Sequence, residues 1–256
     1  MMAIGADRLC SQITSDTRAL ASLVDGADYA AQVPTCPEWT LRQLTTHVGR
    51  AHRWAAEIVA TRASQPIPFR EVPDGRLPDD PAGRPGWLRA GADRLAGALR
   101  AAGDAPVWTH RGEGPAGYWA RRMAHETAVH RADAEITLGG RPEIDPAVAA
   151  DGIDEFLGFV SEPGPGEQAS RLASAWRGHS LHIHSTDGEA AGEWMINGED
   201  AGLRVEQGHR KGDVAIRGPA SALLLVLTRR LPPEDPSVEI LGDRDLLATW
   251  LAATQF

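Results

Sequence analysis

The chain of 256 residues is long enough for one large domain or two ordinary ones, with 42% apolar and 24% charged residues, the composition of an ordinary globular protein. It carries 26 basic against 35 acidic side chains, a net charge of −9, and no Lys/Arg-rich block, so a nucleic-acid partner is not expected. No apolar run approaches the roughly 20 residues of a membrane helix. The first 16 residues lack a basic start leading into an apolar stretch, and two cysteines, Cys10 and Cys36, cannot build a disulfide framework. The expected setting is therefore the reducing cytoplasm, with no membrane partner.

The first half reads as helices. Residues 4–24 place Leu9, Ile13, Leu20 and Val24 at helical spacing. The stretch VPTCPEWT is loop, and Thr40-Leu41-Arg42-Gln43 then fits a capping box, with Trp39 and Leu44 at the positions of a hydrophobic staple. The helix so begun runs to about residue 61 and presents Leu41, Leu44, Val48, Ala51, Ala55 and Ile58 on one stripe. Residues 65–86 hold six prolines and are expected as a long loop or a lid over a site. A third helix follows with Leu88, Leu95 and Leu99 inward and Gly103 as its stop, and a fourth runs from near Pro115 to Gly139-Gly140. Four such helices indicate a four-helix bundle.

The second half changes character. A helix capped by Asp145 leads into a Gly/Pro-rich joint, EPGPGEQ. Short alternating runs follow: SLHIHST, then EWMI and GLRV joined through Asn197-Gly198, then DVAIR. Gly218-Pro219 opens the helix ASALLLVLTRR, and a last strand, SVEIL, meets a closing helix, DRDLLATWLAA. This is the pattern of a small α+β domain.

The fourth helix carries the chemistry. HETAVH invites comparison with a zincin, but His125 and His130 stand five apart and diverge by about 140° on a straight helix, so they cannot share an ion. Glu126 and His130 stand four apart and share a face with Met123, Thr127, Ala134 and Thr137. On the second helix His47 projects beside Leu44 and Val48, whereas His52 points about 140° away. Two imidazoles and a carboxylate suit zinc or a similar divalent ion with one coordination place open. Each residue also has an ordinary reading, His47 as a core histidine and Glu126 with His130 as a buried ion pair. Spacing alone does not join helix two to helix four.

Two segments, CPEWTLRQLTTHVGRAHRWA and RMAHETAVHRADAE, resemble the signatures of the mycothiol-dependent maleylpyruvate isomerase family of actinobacteria. SLHIHSTDGEAAGEW through VAIRGPASALLLVLTRR resembles that family's C-terminal domain. The resemblance implies an α+β protein with a DinB-like four-helix bundle over residues 1–145 and a small sterol-carrier-like α+β domain over 146–256. It implies a divalent metal, usually zinc, on His47, Glu126 and His130, and mycothiol as the thiol cosubstrate. It also implies an arginine of the C-terminal domain that meets an anionic substrate; Arg230 matches best, Arg217 less well, and an ordinary helix-end charge is the other reading of both. The implied activity is isomerisation or S-transfer on a small electrophile, since a metal-bound thiol becomes a thiolate. A metal-dependent hydrolase and a non-catalytic metal- or ligand-binding protein are the alternatives. One departure is Ala132, where the family often has an aromatic residue; a smaller side chain there is expected to widen the pocket.

Four further expectations concern single residues. Cys36 is expected as a small packed residue rather than a nucleophile; His182 and His184, alternating on one strand face, are expected as the polar face of an edge strand, with metal binding as the other reading. Trp39, Trp54 and Trp119 are read either as walls of the site's mouth or as core anchors. Asp133, one turn after His130, is either a partner that orients the imidazole or a surface ion pair.

Overall fold

Helix α1 (Ala6–Leu23) buries Leu9, Ile13 and Leu20 along one face, as its apolar spacing requires. The computed structural model describes residues 4–162, 172, 174–188, 192–200 and 202–254. A held loop leads to α2 (Leu41–Thr61): Val33 donates to the Trp39 carbonyl and Leu41 to the Ala31 carbonyl. The capping box forms as expected. Thr40 accepts from the Gln43 amide, and the Gln43 side chain accepts from the Thr40 amide at 2.8 Å. All six residues of the α2 stripe are buried.

The proline-rich segment is no regular element beyond two short 3-10 turns at Phe69–Glu71 and Pro81–Gly83. It is tied down: the Trp87 indole donates to the Asp74 carbonyl at 2.9 Å, and Arg84 donates to the carbonyls of Pro78 and Asp79. Helix α3 (Arg84–Ala102) starts inside the stretch expected to be loop, because a proline in the first turn has no amide to lose there. Its end is Gly103, at φ +56. A hairpin of β1 (Pro106–Thr109) and β2 (Gly112–Pro115) precedes α4 (Gly117–Thr137). Helices α1 and α2 each pack on both α3 and α4, which makes the four-helix bundle.

The chain divides into two compact units, and residues 4–142 form the first. The second, from residue 143, begins with α5 (Pro146–Ser161), whose cap Asp145 accepts from the Ala147 and Val148 amides. Most of the EPGPGEQ joint lies outside the described residues. Strands β3 (Ser180–Ser185), β4 (Glu193–Glu199), β5 (Gly202–Gln207), β6 (Val214–Gly218) and β7 (Glu239–Gly242) form one sheet in the order β5-β4-β3-β6-β7. Among the described residues, only the β3–β6 pair is parallel. Leu181, Ile183, Trp194, Ile196, Val214 and Ile216 are buried on the sheet, α6 (Ala220–Leu227) packs on α5, and α7 (Arg244–Ala253) brings Trp250 against Trp176.

Two expectations fail here. Asn197-Gly198 is not the hairpin turn: both residues pair within the ladder, opposite Arg204 and Leu203, and the chain reverses around Asp200 instead. Gly198 is glycine because a Cβ there would lie 1.8 Å from the Trp176 carbonyl oxygen; close backbone approach, not a turn, requires it. Strand β3 is also not an edge but the central strand, paired on both sides, and His182 is buried on it.

Candidate metal centre in the helical bundle

His47 on α2 and Glu126 and His130 on α4 meet at one carboxylate oxygen. His47 Nε2 donates to Glu126 Oε1 at 2.7 Å, and His130 Nε2 lies 3.2 Å from the same oxygen. The other oxygen, Oε2, accepts from Arg122, one turn back on α4, at 2.5 Å. The imidazole rings stand edge to face, their centroids 4.9 Å apart, and the Trp39 ring lies against both, at 4.7 Å from His47 and 5.6 Å from His130. Access is from the His47 side, whose side chain is 37% exposed against 20% for Glu126 and 10% for His130.

Asp133 is fully buried and is therefore no surface ion pair. Its Oδ2 lies 2.7 Å from His130 Nδ1, and its Oδ1 accepts from the Thr35 hydroxyl at 2.5 Å. The carboxylate fixes the imidazole's orientation and leaves Nε2 directed at the centre. Cys36 Sγ lies 3.8 Å from Asp133 Oδ2, so the loop cysteine packs under the helix and takes part in the same network.

Burial works against charge on Glu126, but Arg122 first, and then the two imidazoles, overcome it and hold the carboxyl well below its ordinary range. On His130 burial again opposes charge, and the hydrogen bonds to Asp133 and Glu126 outweigh it, pushing the imidazole up to about 9. This centre is built to hold positive charge between its carboxylates. The donors His47 Nε2, Glu126 Oε1 and His130 Nε2 lie within 4.8 Å of one another, a two-nitrogen, one-oxygen set that fits a divalent ion of the zinc class.

His125 is buried outside this group, and His52 turns away to bond Thr127 Oγ1 at 2.8 Å, as the angles require. Trp54 and Trp119 belong to a different cluster, with Trp108 and His110, and act as core anchors; Trp39 alone of the three flanks the imidazoles. Ala132 is fully buried and lies about 200° around α4 from His130, so the room it leaves is not beside the imidazole. Arg230 donates to the Thr228 carbonyl at 2.8 Å, just beyond the end of α6. Arg217 faces Glu239 at 3.4 Å. Sequence reasoning missed Arg122 and Thr35. Arg122 was legible, four residues before Glu126; Thr35 carries no local signal, since it meets Asp133 across 98 residues.

The mycothiol maleylpyruvate isomerase N-terminal domain matches residues 10–135, and the corresponding MDMPI C-terminal domain matches residues 147–249. No curated protein matches the chain by sequence. A crystal structure of mycothiol-dependent maleylpyruvate isomerase is 14% identical, covering 94% of this chain and 95% of that one with a TM-score of 0.60. A histidine-to-alanine mutant of mycothiol-dependent maleylpyruvate isomerase gives 15%, 92%, 91% and 0.59. At such identity the likeness speaks to the fold. Sterol carrier protein 2 like 2 from Aedes aegypti is 13% identical over 40% of this chain and 94% of its own, with a TM-score of 0.28, too low to carry an argument.

Proposed function

From the premise that the chain belongs to the mycothiol-dependent maleylpyruvate isomerase family over both of its units, we propose that it is a metal- and mycothiol-dependent isomerase or S-transferase acting on a small electrophile. The observation that carries the reading is the convergence of His47 Nε2, Glu126 Oε1 and His130 Nε2 on one partly open point. An ion held there, zinc by the chemistry of the donors, would supply a Lewis acid that makes a bound thiol a thiolate at neutral pH. The protein's own groups do the rest. Asp133 holds the His130 ring, Arg122 holds the free oxygen of Glu126 so that Oε1 stays at the centre, and Trp39 covers the two imidazoles with an apolar face. With maleylpyruvate, a thiolate so supplied would add to the activated double bond, permit rotation about the resulting single bond, and leave by elimination to give the trans isomer. Addition followed by protonation of the carbanion, in place of elimination, would be S-conjugation.

The test is turnover by the purified protein on maleylpyruvate and on model electrophiles, with and without mycothiol. Thiol-dependent turnover that chelation abolishes and zinc restores is expected. Turnover indifferent to thiol would favour the hydrolase, and none on any substrate would defeat the reading. The anion-binding role of Arg230 belongs to this proposal and is supported by the family resemblance. Arg230→Ala is expected to lower kcat/KM on an anionic electrophile at unchanged ion content.

A further inference from the structure

The sheet of the second unit gathers a further set of imidazoles that the bundle centre does not use. His182 and His184 stand two apart on β3 and so project from the same face. The ladder sets His184 opposite Glu193 of β4, and His184 Nδ1 lies 2.9 Å from Glu193 Oε1. After β5 the chain turns at Gly208, where φ is +136 and the amide donates to the Glu193 carbonyl at 3.1 Å. That turn, which the positive φ reserves for glycine, returns His209 to the same carboxylate, with Nδ1 2.9 Å from Oε2. The three rings stand edge to face with centroids 5.2–6.0 Å apart.

One atom in this arrangement lacks a partner. His182 is 6% exposed, and its Nε2 is buried without a hydrogen bond, 3.6 Å from Glu193 Oε2. Each oxygen of Glu193 already meets an imidazole, His184 on Oε1 and His209 on Oε2, and the third ring stands beyond hydrogen-bond reach of both. A buried bare nitrogen facing a carboxylate and two other imidazoles is accounted for by a cation that all four share.

We propose that His182, His184, Glu193 and His209 form a second divalent metal site, a closed site of three nitrogens and one oxygen that fastens the turn after β5 to the sheet. Their ligand atoms lie within 4.8 Å of one another. A tetrahedral ion with bonds of about 2.0–2.1 Å holds its ligands about 3.4 Å apart, a contraction that rotation of the exposed His209 and the half-buried Glu193 can supply. Four protein ligands leave no place for substrate, so the site is structural, and the imidazole-rich set selects zinc-like ions over magnesium or calcium.

Cobalt(II) titration of the full chain tests this, read by visible absorption and by ion content. In a His47→Ala/Glu126→Gln background, which silences the bundle donors, one cobalt per chain is expected, bound at micromolar affinity or tighter with a four-coordinate spectrum and displaced by zinc. Adding His184→Gln, or His209→Ala on its exposed ring, is expected to weaken that binding at least tenfold while the far-UV spectrum shows the fold retained. Absence of bound cobalt in the background variant, binding only at millimolar concentration, or binding indifferent to both further substitutions would overturn the proposal. Because the two donor sets are removed separately, failure of one reading leaves the other standing.

Discussion

Asp133 is fully buried, and its oxygens meet the Thr35 hydroxyl and the His130 ring. A carboxylate so placed makes the imidazole a better and better-aimed ligand. Asp133→Asn keeps the shape and removes the charge; it is expected to lower ion affinity about 10–100-fold. Zinc titration against a competing chelator measures this, and an unchanged affinity would show that Asp133 only packs. His52 sets a different test. It is fully buried and neutral, and burial first, then Arg53, pushes its pKa down to about 3, whereas the unfolded chain protonates near 6.5. Between those values the unfolded state binds more protons, so the stability present above about pH 6.5 is lost as pH falls, by at most ~1.4 kcal/mol per pH unit. His52→Gln should shallow the acid-side loss, seen as urea midpoints at about pH 7 and about pH 4.5 that differ less than in wild type. Equal losses would contradict it. At this scale the pairing of Glu126 with His130 was legible from helical spacing and the exclusion of His52 and His125 from angle. The burial of Asp133 was not, because the loop that covers it comes from the far end of the unit's sequence.

Helix α2 carries His47 and is fixed at its start by the capping box, whose signal is entirely local and was readable residue by residue. Its packing on α3 was not readable. Gly49 sits under the Trp87 ring, and a Cβ there would come within 2.0 Å of it. The ring cannot easily yield, since its indole nitrogen is bonded to the Asp74 carbonyl and the Arg53 guanidinium stacks on its face at 4.2 Å. Gly49→Ala gains about 1 kcal/mol of helix propensity and loses about 1–3 kcal/mol to overpacking, so the expected result is net destabilisation. A rise in the denaturation midpoint would show that α3 can move. The same distinction explains the turn misassigned to Asn197-Gly198: dipeptide chemistry reports what a glycine can do locally, while the Trp176 backbone against Gly198 is a contact between distant segments. The short β1–β2 hairpin escaped notice for a related reason, since GEGP shows no alternation to read.

The helical bundle has apolar clusters of its own, and at its centre Arg122 pairs with Glu126 and Asp133 with His130. An ion needed for chemistry but not for folding should therefore leave on chelation without unfolding the bundle. The helical far-UV signal is expected to persist in the chelated protein. Zinc at about 100 times its dissociation constant should add roughly 2.7 kcal/mol, a rise in Tm of the order of 5–10 °C. Asp133→Asn should reduce that rise and leave the chelated protein's helical signal unchanged. Collapse of the signal on chelation would mean that the imidazole and carboxylate donors of α2 and α4 are a structural clasp, and the open side at His47 would then lose its meaning as the entry for a thiol.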